Sequence, residues 1–306
     1  QMLELLESDH RRDVDFAASY FGSRFHKEGW PWLKSVVASD LSARQQARLL
    51  LATRDFPAAW QHLDDDEVER AFWREFQPYG LGDFAFVAAA VAGLYAVDRF
   101  GAGLDLLHLY LRKEGDGHWA ELIALGLERL LAGESADGLG PSSQYELRGL
   151  LAYLERVAFD EQRLARLEWA YLPAFEFEAA PPTLSRSLAK NPAFFVEVVS
   201  CIYKPADAED DGGDGGDVES DEPDQGRVEI ARNAYRLLSE WRTLPGSDGE
   251  TVNATALHVW VDEAREALLQ ARRLKVGDIY IGKLLASSSP DSDGSWPCLA
   301  VRELLE

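Results

Sequence analysis

Apolar side chains recur at helical spacing through most of the chain, and the pattern is clearest over residues 164–204. The first part of this stretch has one apolar stripe, made of Leu164, Leu167, Tyr171, Leu172 and Phe175. A proline-rich turn and a short helix over residues 184–188 are predicted to follow. Asn191–Pro192 then predicts the start of another helix, because Asn caps helices and Pro suits their first turn. This last helix is predicted to bury Phe194, Phe195, Val198, Val199 and Ile202. A hairpin with two apolar faces predicts neighbouring hairpins on both sides.

The first 80 residues predict several short helices. Phe16, Tyr20 and Phe21 are expected to form one apolar face of an early helix. The Gly-Trp-Pro-Trp sequence at residues 29–32 predicts a break and a restart. A helix over residues 41–52 is predicted to be capped by Asp40 or Ser42. Three aspartates at residues 64–66 predict the start of the next helix, where the helix dipole favours negative charge.

Further helical patterns continue to residue 157 and resume at residue 231. Between two of them, Gly101 and Gly103 predict a helix–helix turn, because a dinucleotide-binding fingerprint would need a third glycine and a preceding strand. Successive helices begin roughly 16 to 20 residues apart, so a hairpin occupies roughly 35 to 40 residues, as in tetratricopeptide and HEAT arrays. No alternating run predicts a strand. The predicted fold is all-α, an irregular α-solenoid of stacked helical hairpins of the tetratricopeptide or HEAT kind.

An abrupt change in composition interrupts this pattern. Residues 207–224 contain ten acidic residues, four glycines and no basic residue. With almost no apolar side chains to offset its ordering entropy, the segment is predicted to be disordered. Calcium binding is the functional alternative, but the twelve-residue calcium loop pattern is absent. We therefore divide the chain into a helical-repeat array over residues 1–206, an acidic disordered insertion over residues 207–226, and a continuation of the array over residues 227–306.

Charge and cysteine content narrow the possible partners. A formal net charge of −22 and an isoelectric point of about 4.6 argue against nucleic acid and anionic membranes as partners. Cys201 and Cys298 form neither a CxxC motif nor a disulfide framework, which favours a reducing cytoplasm. No apolar run approaches the roughly 18 residues of a membrane span. The chain opens on Gln1 and stops at Glu306 inside an amphipathic pattern, so we expect a piece of a longer polypeptide.

One local match to a nucleotide-binding motif occurs at residues 277–283, where the sequence satisfies GxxxxGK. A phosphate loop needs this motif between a strand and a helix, with a hydroxyl residue after the lysine. Here a helix is predicted before it and Leu284 follows Lys283. Similarly, Asp291 and Asp293 resemble the start of a calcium loop but lack the third ligand, and a turn is the better interpretation.

The remaining reactive side chains are better explained by structure than by chemistry. Cys201 is expected on a buried face as a small apolar residue rather than a nucleophile. His108 and His118 belong to no metal-binding pattern and are expected at a helix interface and a helix start. A basic cluster near a predicted helix end consists of Arg265, Arg272, Arg273 and Lys275. Dipole compensation and pairing with nearby acidic residues account for it; these are Asp262, Glu263 and Glu266. No catalytic, cofactor-binding or metal-binding residue is assigned, and no cofactor is expected.

Several segments resemble parts of a known class of helical regions. They are FPAAWQHLDDDEVERAFWREFQPYG at residues 56–80, LEWAYLPAF and NPAFFVEVVSCIYKP in residues 167–205, and VGDIYIGKLL and DSDGSWPCLAVRELLE in residues 276–306. They are similar to C-terminal helical regions of large bacterial multidomain proteins, including defence and signalling proteins with an N-terminal effector and a nucleotide-binding module. The resemblance implies a sensor array that recognises a ligand or partner while other domains perform the chemistry. It transfers no catalytic residue.

We therefore predict a non-catalytic recognition or scaffold domain that binds a protein partner or neighbouring domains of a longer chain. Trp30 and Trp32, which flank a proline, are either an exposed contact or half-buried packing. Two other functions stay open at this point. One is an enzyme whose active site assembles only in three dimensions, and the other is a structural connector between domains.

Overall fold

The computed structural model describes residues 1–37, 40–77, 86–111, 117–134, 144–172, 181–202, 225–247, 252–286 and 301–302. Helix accounts for 79% of these residues. The described part of the chain contains no strand, only an isolated antiparallel bridge between Ser247 and Val252. The all-α prediction is therefore confirmed. Of the insertion predicted to be disordered over residues 207–226, residues 207–224 lie outside the described residues, as do Asp291 and Asp293. Gln225 and Gly226 form the start of a helix, so the predicted insertion extends two residues too far.

The chain divides into two compact units, residues 1–157 and residues 158–306. The helices of the first unit are α1 (Met2–Leu5), α2 (Arg11–Val37), α3 (Ala43–Ala52), α4 (Phe56–Trp60), α5 (Asp66–Glu75), α6 (Val87–Tyr95), α7 (Phe100–Tyr110), α8 (Ala120–Leu131) and α9 (Gln144–Arg156). Those of the second are α10 (Glu161–Ala170), α11 (Pro182–Lys190), α12 (Pro192–Ile202), α13 (Gln225–Glu240), α14 (Ala254–Gln270) and α15 (Leu274–Ala286). The residue range predicted for the first part of the array, 1–206, includes all of the first unit and part of the second.

Several helix starts are defined by the caps that the sequence predicts. Of the two candidates before α3, Ser42 is the cap, and it forms a reciprocal capping box with Gln45. At the start of α5, the Asp65 carboxylate accepts from the backbone N–H groups of Glu67 and Val68. Asn191 likewise accepts from the backbone N–H of Phe194 at 3.2 Å in the first turn of α12.

Helix α2 is bent at Gly29, as the Gly-Trp-Pro-Trp sequence predicts. Gly29 has φ 70° and ψ −167°, a backbone conformation that is essentially restricted to glycine. Two residues later, Pro31 lies in the restarted helix, where it provides no backbone N–H. The longer, N-terminal arm of α2 packs on α3. Gly22 makes this approach possible, because a Cβ there would lie 2.7 Å from the backbone oxygen of Ala52.

A buried arginine ties the first helices together. Arg48 on α3 is only 7% exposed, and its guanidinium donates to the backbone oxygen of Ser8 at 2.9 Å and to that of Leu6. It also pairs with Glu75 at the end of α5 at 2.6 Å. Hydrogen bonds to two carbonyls and to a carboxylate satisfy the buried guanidinium. Since these partners lie after α1 and at the end of α5, the same bonds hold α1, α3 and α5 against one another.

The two glycines expected in a turn lie inside a helix instead. Gly101 and Gly103 are both buried in α7, so the predicted helix–helix turn is wrong. The reason is packing against Tyr95. A Cβ on Gly103 would lie 2.4 Å from the Tyr95 ring, and one on Gly126 of α8 would lie 2.2 Å from its hydroxyl. Tyr95 occupies this space and donates to the backbone oxygen of Leu122 at 3.0 Å.

In the second unit, α10 and α11 form an antiparallel pair held at both ends. The Glu168 carboxylate on α10 is 2% exposed and accepts from the backbone N–H of Leu184 at 2.7 Å, so it caps α11 from outside that helix. At the opposite end, Glu161 pairs with Arg186 at 3.4 Å and with Lys190 at 2.5 Å. The lysine hydrogen bond, the largest cause, lowers the pKa of Glu161.

Helix α12 is central to the second unit and contacts α11, α13, α14 and α15. Its fully buried Phe195 packs between two tryptophans, with ring centroids 5.6 Å from Trp241 and 5.2 Å from Trp260. The two indoles also contact each other at 5.7 Å. The Trp260 indole N–H donates to the backbone oxygen of Leu188 at 3.2 Å, which joins α14 to α11. The predicted burial is thus confirmed for Phe194, Phe195, Val198 and Val199, whereas Ile202 is half-buried.

Candidate protein-interaction surface

Two aromatic side chains project from the outside of α2. Phe16 is 64% exposed and Tyr20, one helical turn later, is 43% exposed. The expectation that Phe16, Tyr20 and Phe21 form one apolar face is therefore wrong, because Phe21 is buried while the other two are exposed. The inner face of the helix is instead supplied by Ala17 and Phe21, which are buried. Because residues four apart lie on the same side of a helix, Phe16 and Tyr20 form one continuous exposed area.

Basic side chains lie on the same side of this helix. Arg12 precedes Phe16 by four residues, and Lys27 follows Tyr20 by seven, so both lie along the same stripe. Ser23 lies between Tyr20 and Lys27 and is exposed. We call this set the α2 outer face, defined by Arg12, Phe16, Tyr20, Ser23 and Lys27.

The charge of this helix differs from that of the whole chain. Residues 10–28 contain four basic residues, Arg11, Arg12, Arg24 and Lys27, and three acidic ones, Asp13, Asp15 and Glu28 (4 − 3 = +1, His neutral), whereas the chain carries −22.

Each of the three carboxylates already has a partner. Asp13 accepts from the Ser8 hydroxyl at 2.9 Å, Asp15 pairs with Arg11 at 3.7 Å, and Glu28 pairs with Arg24 at 2.8 Å. Arg12 and Lys27, by contrast, form no ion pair with any residue of the described ranges. Asp13 has a neutral hydroxyl as its partner, so the charges of residues 10–28 without an ion pair in the described ranges are those of Arg12, Lys27 and Asp13, and their sum is positive.

Aromatic contacts fix the base of this surface. Phe21 contacts the Tyr20 ring edge-on at 5.3 Å and stacks on Trp32 at 6.4 Å, across the bend at Gly29. The Arg24 guanidinium lies 4.9 Å from the centre of the Trp32 ring. Its hydrogen bond to Glu28 raises the pKa of Arg24. With its inner side packed on α3, the helix presents Phe16 and Tyr20 from a fixed support.

The paired tryptophans of the bend are half-buried packing. Trp30 lies against Phe25 at 5.0 Å and His62 at 4.7 Å, and its indole N–H donates to Asp55 at 3.3 Å. Trp32 is engaged by Phe21 and Arg24 as described above. Of the two interpretations open for these residues, half-buried packing is the one that the structure supports.

The nucleotide-binding match is part of a helix. Residues 277–283 lie wholly within α15, so their backbone N–H groups follow the helix axis and form no loop that could surround a phosphate. Gly277 has a packing role instead, because a Cβ there would lie 2.1 Å from Cδ1 of Leu268 on α14.

Cys201 is half-buried rather than fully buried, and it packs at the edge of the second unit's core. Burial, and then the nearby Glu197 carboxylate, raise the pKa of its thiol. A raised pKa disfavours the thiolate, so this cysteine lacks the activation of a nucleophile. Burial also raises the pKa values of Tyr95 and Tyr171 above their ordinary range.

An aromatic contact accounts for His108, and an ion pair accounts for Arg265 of the basic cluster. His108 on α7 contacts the Tyr145 ring edge-on at 5.8 Å, and His118 lies just before α8. Arg265 pairs with Asp278 of α15 at 2.9 Å, not with the acidic neighbours of its own helix that the sequence suggested. Arg273 is 8% exposed, so it contributes little to any basic surface.

Within the described ranges, no three His, Cys, Asp or Glu side chains come together as a metal site. Among the helices of those ranges, none combines the length and the apolar character that crossing a bilayer requires.

The α2 outer face was missed by sequence reasoning although a signal for it exists. Val14, Ala17, Ala18, Phe21 and Phe25 form a complete inward stripe without Phe16 or Tyr20. The signal is a second aromatic stripe flanked by basic residues on the same helix, although spacing alone does not decide which of the two stripes faces α3. Comparison with known proteins adds no relative to this picture, since no protein-family model, curated protein or solved structure matches the chain significantly.

Proposed function

We propose that this chain is a non-catalytic helical recognition domain that binds a protein partner. The observation that carries the proposal is the exposure of Phe16 and Tyr20 on a helix whose opposite face is already packed. Exposed aromatic residues held side by side on a rigid element are typical of interaction surfaces. Aromatic residues and arginine are also enriched in protein interfaces, where they supply much of the binding energy.

The finer architecture that we propose is an irregular α-solenoid. Contacts between successive helices support it, namely α2 with α3, α6 with α7, α7 with α8, α10 with α11 and α11 with α12. Helix α12 departs from a pure nearest-neighbour stack, because it also contacts α14 and α15.

We further propose that the domain belongs to a larger bacterial defence or signalling protein in the cytoplasm, as its resemblance to such helical sensor regions implies. Neighbouring domains of that longer chain are then possible partners beside a separate protein. The raised pKa of Cys201 supports a structural role for this residue, in keeping with a reducing compartment.

The test is to capture proteins from the source cells with the full chain, purify each captured protein and titrate it calorimetrically. A purified protein that binds saturably with a defined stoichiometry supports the proposal. The outcome against it is that no purified candidate binds, or that a captured small molecule is chemically converted by the chain, which would identify an enzyme instead.

A further inference from the structure

We infer that the α2 outer face docks an acidic amphipathic helix of a partner protein, an inference that rests on the proposed function and names its site. The surface combines two features that such a helix would match. Phe16 and Tyr20 form an apolar centre one helical turn long, and Arg12 and Lys27 place uncompensated positive charge at its two ends.

The dimensions suit a short helix laid along α2. Arg12 and Lys27 are 15 residues apart, which corresponds to about 22 Å at about 1.5 Å per residue. A partner helix of about four turns therefore spans both charges. Apolar residues at i and i+4 near its middle would lie beside Phe16 and Tyr20. Glutamate or aspartate near its two ends would lie within reach of Arg12 and Lys27.

Charge complementarity selects an acidic partner in spite of the negative charge of the chain. At physiological salt, charges separated by more than about 8 Å are largely screened, so the residues of the surface itself decide the interaction. On this part of α2, Asp15 is paired with Arg11 and Glu28 with Arg24, whereas Asp13 accepts a hydrogen bond from the neutral Ser8 hydroxyl. An acidic helix thus finds two cations without an ion pair in the described ranges, Arg12 and Lys27, whereas a basic helix finds one such carboxylate, Asp13.

Three other occupants fit less well. The chain's own acidic residues 207–224 would match the charges, but they offer only Ala208 and Val218 to cover two aromatic rings. An anionic membrane would also attract Arg12 and Lys27, yet stable membrane binding by an interfacial helix requires a larger apolar face than two side chains. A second copy of the chain would bring the same positive surface to itself in a symmetric dimer.

The experiment uses two synthetic, fluorescein-labelled, stapled helices of 16 residues. Both carry leucines at the two central positions i and i+4; one has glutamate on its flanking turns and the other has lysine at the same positions. Fluorescence anisotropy with the full chain measures both affinities. The glutamate helix is expected to bind about tenfold or more tightly than the lysine helix, with an affinity that falls as salt is raised.

The variants separate the surface from general charge effects. Phe16→Ala with Tyr20→Ala, and Arg12→Glu with Lys27→Glu, are each expected to weaken binding of the glutamate helix about tenfold or more. Lys34→Glu is the control, because it reverses an exposed charge of the same helix beyond the bend at Gly29, outside the α2 outer face. It is expected to leave binding within about twofold of the wild type. Circular dichroism confirms that each variant keeps its helix content.

Each contrary result overturns the inference in a recognisable way. Equal binding of the two peptides, no saturable binding of the glutamate helix, or an equal loss of affinity with Lys34→Glu overturns the proposed acidic-helix surface. Binding to vesicles of phosphatidylcholine and phosphatidylserine (3:1) that requires Phe16 identifies a membrane surface. A dimer in light scattering that Phe16→Ala dissociates identifies a second copy, and tighter peptide binding after deletion of residues 207–224 identifies the chain's own acidic segment as occupant. If a partner protein purified as described above binds the Phe16→Ala/Tyr20→Ala variant with the affinity that it has for the wild type, the proposed function stands and only this inference fails.

Discussion

Two glycines of α15 make a matched pair for testing how the second unit is packed. A Cβ at Gly277 would lie 2.1 Å from Cδ1 and 2.9 Å from Cγ of Leu268, a wholly buried residue of α14. A Cβ at Gly282 would meet nothing within 4 Å. The perturbation is therefore the same substitution, Gly277→Ala or Gly282→Ala, in the same helix, with and without a steric conflict.

The difference between the two variants isolates the steric cost. In a helix, alanine is favoured over glycine by about 0.5–1 kcal/mol, and this gain applies to both positions. Overpacking a core costs about 1–3 kcal/mol, and it applies only at Gly277. Gly277→Ala should therefore have a free energy of unfolding about 1–3 kcal/mol lower than that of Gly282→Ala. Gly282→Ala itself should be as stable as the wild type or slightly more stable.

Urea unfolding followed by tryptophan fluorescence measures this difference, since Trp241 and Trp260 are buried in the same unit. With a denaturant slope of about 1–3 kcal/mol per M, the two midpoints should differ by the order of 1 M. Equal midpoints, or a stabilised Gly277→Ala variant, would refute the close packing of α15 on α14.

A second background identifies the atom responsible. Leu268→Ala removes the side-chain atoms that the new methyl group meets, so Gly277→Ala should no longer be destabilising when combined with it. If the penalty persists in that background, the contact with Leu268 is not its source. If residues 277–283 were a phosphate-binding loop, the wild type would bind nucleotide and both alanine variants would bind it more weakly. We expect no nucleotide binding by the wild type or by either variant.

Three further outcomes follow from the packing of the second unit. Phe195→Ala should lower the free energy of unfolding by about 3–5 kcal/mol. The exposed control Tyr235→Ala should change it by no more than about 0.5 kcal/mol. If Phe195→Ala unfolds at the urea midpoint of the wild type, the central role of α12 is contradicted. Glu168→Ala should cost about 1.5–3 kcal/mol in thermal or urea unfolding because the Leu184 N–H loses a charged acceptor, whereas Glu168→Gln keeps an acceptor oxygen and should cost less. In a Cys298→Ser background, the rate of Cys201 alkylation by iodoacetamide should rise only at a pH higher than for free cysteine, since burial raises the pKa of the thiol. An alkylation rate that rises at the same pH as for free cysteine, or at a lower pH, would contradict this prediction.

Local features of the fold could be predicted because they depend on few residues. The caps at Ser42 and Asp65 and the bend at Gly29 follow from side-chain chemistry or backbone sterics within a few positions of the chain. The burial of Phe195 follows from the apolar spacing of one helix.

Features that depend on distant neighbours could not be predicted in the same way. Gly101 and Gly103 carry the composition of a turn, and only the position of Tyr95 explains why glycines lie inside α7. Arg265 has acidic residues at helical spacing on its own helix, yet its partner Asp278 is on the next one. For α2, helical spacing groups Phe16 with Tyr20, but it does not specify which of two apolar stripes faces α3.

The backbone at Gly29 also has a stereochemical consequence. The mirror image of its φ of 70° and ψ of −167° lies close to the polyproline II conformation of ordinary L-residues. Any L-residue with a side chain is strained at this position, by about 1–3 kcal/mol, whereas a D-amino acid would adopt the same backbone without strain. A chemically ligated chain with D-alanine at position 29 should therefore keep the bend and be more stable than the natural one, because its unfolded state has less conformational freedom. The bend that supports the α2 outer face thus depends on a single residue being able to adopt a positive φ.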